Sequence, residues 1–152
     1  MTTDLLNSTN WSAKALAGEW KALSGGQIDV IEPATGQVLA QVALANAQDV
    51  QASALLARQA QKTWAAMPYG ERAKIFRKAA DLLEANRQAF ATWIVRETGG
   101  IIPKAMFEID SVVHHCHEAA AMLTQSRGLV LPSVDGVTSL ARRVPHGVVG
   151  VI

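Results

Sequence analysis

The sequence predicts an α/β fold, and three observations carry that prediction. Two apolar segments of strand length flank a Pro-Ala-Thr-Gly turn at residues 33–36, and a long central region repeats its apolar residues at helical spacing. The chain then closes on a Val-rich run, "GVVGVI" at 147–152, of the kind found in parallel strands buried on both faces. At 152 residues, with 49% apolar content and five prolines, it has the size of one domain or of a piece of a larger one.

Each element follows from its residues. A polar N-terminal arm covers residues 1–17. Strands are predicted at 27–32 and 38–43, joined by a type I turn in which Pro33 pre-sets φ and Gly36 accepts a positive φ on the way out. Asn46 with Asp49 three residues on is a capping arrangement, and it predicts a helix over 47–66 whose apolar face carries Val50, Ala54, Ala57 and Trp64. Met67-Pro68 ends that helix. A second helical region starts near Gly70 and buries Ile75, Ala79, Leu82 and Leu83. Phe90, Trp93 and Ile94 continue its apolar face until Thr98-Gly99-Gly100, with Asn86 marking a break inside it. Pro103 opens a third helix, where its missing N–H would be unsatisfied anyway. Along that helix Met106, Ile109, Val113, Cys116, Ala120 and Leu123 recur at steps of three and four, the spacing of a core stripe. From Gly128 onward the pattern turns to strands, with a turn at Asp135-Gly136.

Charge and composition exclude several classes of function. Fourteen Lys and Arg against 13 Asp and Glu give no basic footprint for a polyanion or an anionic membrane surface. The basic run Arg72, Lys74, Arg77 and Lys78 is interleaved with Glu71, Asp81 and Glu84, as on a solvated helix face. Neither a signal peptide nor a membrane span is legible, so a cytoplasmic protein is expected, with no nucleic-acid and no membrane partner. The sequons at Asn7 and Asn10 then carry no meaning, and a single cysteine agrees with a reducing compartment.

The densest chemistry is "HHCH" at 114–117. Consecutive helical residues point about 100° apart, so these four side chains cannot converge on one ion. The usable face is Asp110, His114 and His117, helped by Glu118. However, the run fails the H-E-x-x-H pattern because position 121 is Ala, and the remaining histidine, His146, lies beside a Pro and a Gly. Cys116 falls on the apolar stripe in mid-helix, where nothing lowers a thiol pKa, so it reads as a core side chain and not a nucleophile. No G-x-G-x-x-G, Walker loop or G-x-S-x-G elbow is present, and Gly147-Val-Val-Gly150 is half a glycine motif.

The order of these pieces resembles a known family. "EPATGQVLAQV" leads into "DVQASALLARQAQKTWAAMPYGERAKIFRKAADLLEANRQAFATWIVRETGG", followed by "IPKAMFEI" and "SLARRVPHGVVGVI". Over residues 18–152 this is similar to the N-terminal third of an aldehyde dehydrogenase, closest in wording to the benzaldehyde and vanillin dehydrogenases. The resemblance implies that residues 18–136 are the hairpin and helical part of a coenzyme-binding domain. It makes 137–146 an oligomerisation strand and 147–152 the first strand of the nucleotide-binding sheet.

What the family does can be set beside this chain. The resemblance implies NAD or NADP as cofactor, an aromatic, benzaldehyde-like aldehyde as substrate, and a homo-oligomer. The implied chemistry is thiolate attack on the carbonyl, hydride transfer to the nicotinamide and hydrolysis of the thioester to the acid. The family's nucleophilic Cys, its general-base Glu and the Lys and Glu that hold the cofactor ribose lie later in the family pattern, so no catalytic residue is expected here. Ile152 alone carries over, as a position beside the cofactor. The expectation is therefore an N-terminal portion, inactive alone and without tight cofactor binding, whose partner is the missing C-terminal part of its own chain. The alternative is a non-catalytic helical oligomerisation or metal-binding module built on Asp110, His114 and His117.

Overall fold

Helix punctuation and turn chemistry set the order of elements in residues 7–151, the part of the chain that a computed structural model describes. The elements are α1 (Ser8–Trp11), β1 (Ala15–Leu16), β2 (Trp20–Lys21), β3 (Gln27–Ile31), β4 (Val38–Ala43), α2 (Ala47–Ala66), α3 (Tyr69–Ala85), α4 (Arg87–Thr98), α5 (Ile102–Met122), β5 (Gly128–Leu131) and β6 (Ser139–Arg142). The strands form three separate antiparallel ladders, β1 with β2, β3 with β4 and β5 with β6.

The β3–β4 hairpin turns where the sequence places it. Thr35 and Gly36 both donate to the Glu32 carbonyl, at 3.2 and 2.8 Å, and Gly36 takes φ 71°. Thr35 Oγ1 also donates to Glu32 Oε2 at 2.8 Å. The arm before it is anchored. Trp11 meets Trp93 edge-on with ring centroids 5.3 Å apart, and the Ala13 N–H donates to the Gln41 carbonyl at 2.9 Å, with Ala13 itself at φ 57°.

The capping box predicted for α2 is present. Asp49 N–H donates to Asn46 Oδ1 at 2.9 Å and Asn46 N–H to Asp49 Oδ2 at 3.1 Å, satisfying two otherwise free amides at the helix start. The rest of the expected α2 face is corrected. Val50, Ala54 and Ala57 stay exposed, and only Trp64 is half-buried, edge-on to Phe76. The second helical region is two helices, because the chain breaks at Asn86 (φ −114°, ψ 16°), whose Nδ2 donates to the Leu82 carbonyl at 2.8 Å. The chain thus has four long helices among the described residues instead of three. Gly99, in the left-handed region at φ 70°, ends α4, and Pro103 sits in the first turn of α5.

The core lies where α5 packs along α3 and α4. Its buried residues are Ala73, Ala80, Ala91, Ala105, Ile109 and Ala120. Small side chains at these crossings let the helix backbones approach closely, and larger ones fill the margins. The α5 stripe is as read from the sequence: Met106, Val113, Cys116 and Leu123 are half-buried, with Ile109 and Ala120 buried. On α3 the inward face differs. Ile75 and Leu82 are exposed, whereas the expected Ala79 and Leu83 are half-buried, beside the buried Ala73 and Ala80 and the half-buried Phe76.

Two ties fix the hairpin to the helices. Arg96 Nε donates to Glu32 Oε1 at 2.7 Å, and a Cβ placed on Gly99 would lie 3.2 Å from Pro33 Cβ, so the turn of the hairpin rests against the end of α4. The Arg96 hydrogen bond first, and that from Thr35 second, hold the Glu32 carboxyl below its ordinary pKa. Asp49 is held low in the same way by the amides of Asn46 and Ser24.

The β5–β6 hairpin needs Gly128, since any Cβ there would lie 2.1 Å from the Ala141 carbonyl oxygen. Of the strand expected at 147–152, the described residues 147–151 have no ladder partner, Val151 is 94% exposed, and Ile152 lies outside the described residues. A parallel strand exists only beside a neighbour, and every ladder among the described residues is antiparallel, so the parallel sheet implied by an α/β class is not formed by them.

Replacing Ile109 (3% exposed) by Ala is expected to cost about 2–5 kcal/mol in urea unfolding, against about 1 kcal/mol or less for Ile75→Ala. Equal losses would place the core elsewhere. Glu32 and Asp49 have folded-state pKa values below their unfolded ones, so the stability they contribute is present above the ordinary carboxylate range and lost as pH falls through the folded values. Between about pH 7 and about pH 3 the urea midpoint of the wild type is expected to drop further than that of Glu32→Gln. Parallel losses in the two proteins would contradict it.

Candidate functional site

All the residues singled out for chemistry, other than Ile152 and His146, ride on α5, and its packing decides which way each one points. His114, His115 and His117 are exposed, Cys116 is a free, half-buried thiol on the core stripe, and Glu118 is exposed. The His114 and His115 rings lie 6.1 Å apart at 53°, neighbours along the helix surface without a shared focus. Asp110, the carboxylate of the proposed chelating face, is engaged elsewhere. Arg87, the first residue of α4, donates through Nη2 to Glu84 Oε2 at 2.9 Å and to Asp110 Oδ1. Glu84 and then Asp110 raise the guanidinium pKa above its ordinary value. One side chain thus ties α3, α4 and α5 together. Among the described residues, no group of three or more His, Cys, Asp or Glu is placed to hold a metal ion.

The sequence contains part of this cluster. Glu84 and Arg87 are three residues apart, a spacing that brings side chains together on continuous helix. Asp110 is added by tertiary packing alone, so no local signal could have found it.

Two open hollows lie along the helices. An apolar cleft of about 610 Å³ between α4 and α5 is lined by Leu83, Phe90, Ile94, Phe107, Val112 and His115, with Phe107 70% exposed. A second, of about 630 Å³, runs along α2 past Ala57, Trp64 and Met67 to Gly147 and Val148. The terminal segment therefore runs beside α2, where Val148, Val149 and Gly150 border an open groove shared with Leu16, Leu23 and Ala54. No helix of the described residues is long and apolar enough to cross a membrane.

The order and packing of these elements can be set against known proteins. The sequence model of the aldehyde dehydrogenase family matches residues 20–152. The chain belongs to the aldehyde dehydrogenase family. Among its relatives, a vanillin dehydrogenase of Amycolatopsis sp. is 44% identical over 147 residues, which is 97% of this chain and 30% of the relative. A benzaldehyde dehydrogenase (NAD+) of Pseudomonas putida is 42% identical over 143 residues, 93% of this chain and 29% of the relative. The crystal structure of an NAD-dependent benzaldehyde dehydrogenase from Corynebacterium glutamicum superposes with a TM-score of 0.84 at 30% identity, covering 97% of this chain and 32% of that one. The chain thus spans about 30% of the length of the curated relatives it matches.

If Asp110 belongs to the Arg87 fork, titration of the purified protein with zinc or nickel is expected to show no tight one-to-one binding, and His114→Ala is expected to leave the titration unchanged. A stoichiometric, tight isotherm abolished by His114→Ala would restore the chelating face.

Proposed function

We propose that this chain is the N-terminal portion of an NAD(P)-dependent aldehyde dehydrogenase that oxidises an aromatic, benzaldehyde-like aldehyde to the carboxylic acid. The observation that carries the reading is the 44% and 42% identity, over 93–97% of the chain, to dehydrogenases of vanillin and benzaldehyde. In that reading residues 18–136 are scaffold for the coenzyme domain, 137–146 joins an oligomerisation sheet, and 147–152 becomes a strand once parallel neighbours flank it. The exposed Leu129, Val130 and Leu140 on a hairpin with open edges support its assembly into a homo-oligomer. A single cysteine, which can form no internal disulfide, supports a cytoplasmic protein.

The described residues do not by themselves fit a dinucleotide. The 147–151 segment has no sheet to rest on, and the grooves beside it are open and mainly apolar. Beside residues 147–150 the polar side chains are Asp49, Gln51, Ser53, Arg58, Gln61 and Thr63 of α2 together with His146, and the N–H groups of Asn46 and Asp49 at the start of α2 are already engaged in the capping box. No chemical step is therefore assigned to residues of this chain. Ile152 remains a proposed cofactor neighbour on the family resemblance alone, which makes it the end of the first strand of the nucleotide-binding sheet.

Two assays test the reading. The protein encoded by the whole reading frame is expected to form NADH or NADPH in the presence of benzaldehyde, and its inactivity on every aromatic aldehyde tried would overturn the substrate class. The pure 152-residue chain is expected to give no aldehyde-dependent signal with either nucleotide, and a reproducible signal would show that catalytic groups lie within it.

A further inference from the structure

We draw no further inference here: the strongest candidate, the open apolar cleft between α4 and α5 lined by Phe90, Ile94, Phe107 and Val112, carries nothing because nothing in the structure shows what covers it.

Discussion

The close packing of α5 against α3 and α4 is the constraint on which the other elements hang. It is made largely by alanine: Ala73, Ala80, Ala91, Ala105 and Ala120 are buried, and Ile109 is the one large side chain among the buried core residues. Alanine contributes little apolar area, so the gain comes from bringing whole helix surfaces together, with Phe90, Ile94, Val95, Met106 and Val113 packed around the Ala91, Ala105 and Ile109 cluster. The same packing fixes the azimuth of α5. Once Ile109 and Ala120 face inward, His114 and His117 face outward, away from the core.

Polar ties then hold smaller pieces to this helical unit. Arg87 joins three helices through two carboxylates, and Arg96 joins the hairpin to α4 through Glu32. Each pair keeps at least one partner about half exposed, so its contribution is partly screened by salt, although the Glu32 side chain is only 13% exposed. Two of the three ladders are hairpins too small to be stable alone, and the third joins only two residues per strand. The β3–β4 hairpin is docked by Glu32, Pro33 and the Trp11–Trp93 contact of the arm before it. Among the described residues the β5–β6 hairpin has no comparable side-chain tie to the helices, and Leu129, Val130 and Leu140 stand exposed on it.

That uneven anchoring fits a chain that spans about 30% of the length of its relatives. Large exposed apolar side chains are most frequent along residues 128–151, among them Leu129, Val130, Val144 and Val151, and exposed apolar surface of this kind marks places where something else packs. The helical unit carries its own core, whereas the terminal Val-rich segment leans on α2 without the hydrogen-bonded neighbours that would make it a strand.

Local chemistry determined much of this molecule from the sequence alone. The Asn46–Asp49 box, the Pro33–Gly36 turn, the break at Asn86, the stop at Gly99 and the α5 stripe are each set by residues within a few positions of one another, and each is found where the sequence put it. Family membership was legible too, because the order of those local signals is long and specific. Tertiary structure decided what depends on a partner far along the chain. It buried Ala73 and Ala80 of α3 and left Ile75 and Leu82 exposed, since the closest helix crossing admits small side chains. It left Val50 and Ala54 of α2 uncovered, gave Asp110 to Arg87, and withheld a ladder from 147–151, because burial, ion pairing and strand pairing are properties of two surfaces meeting and neither surface encodes the other.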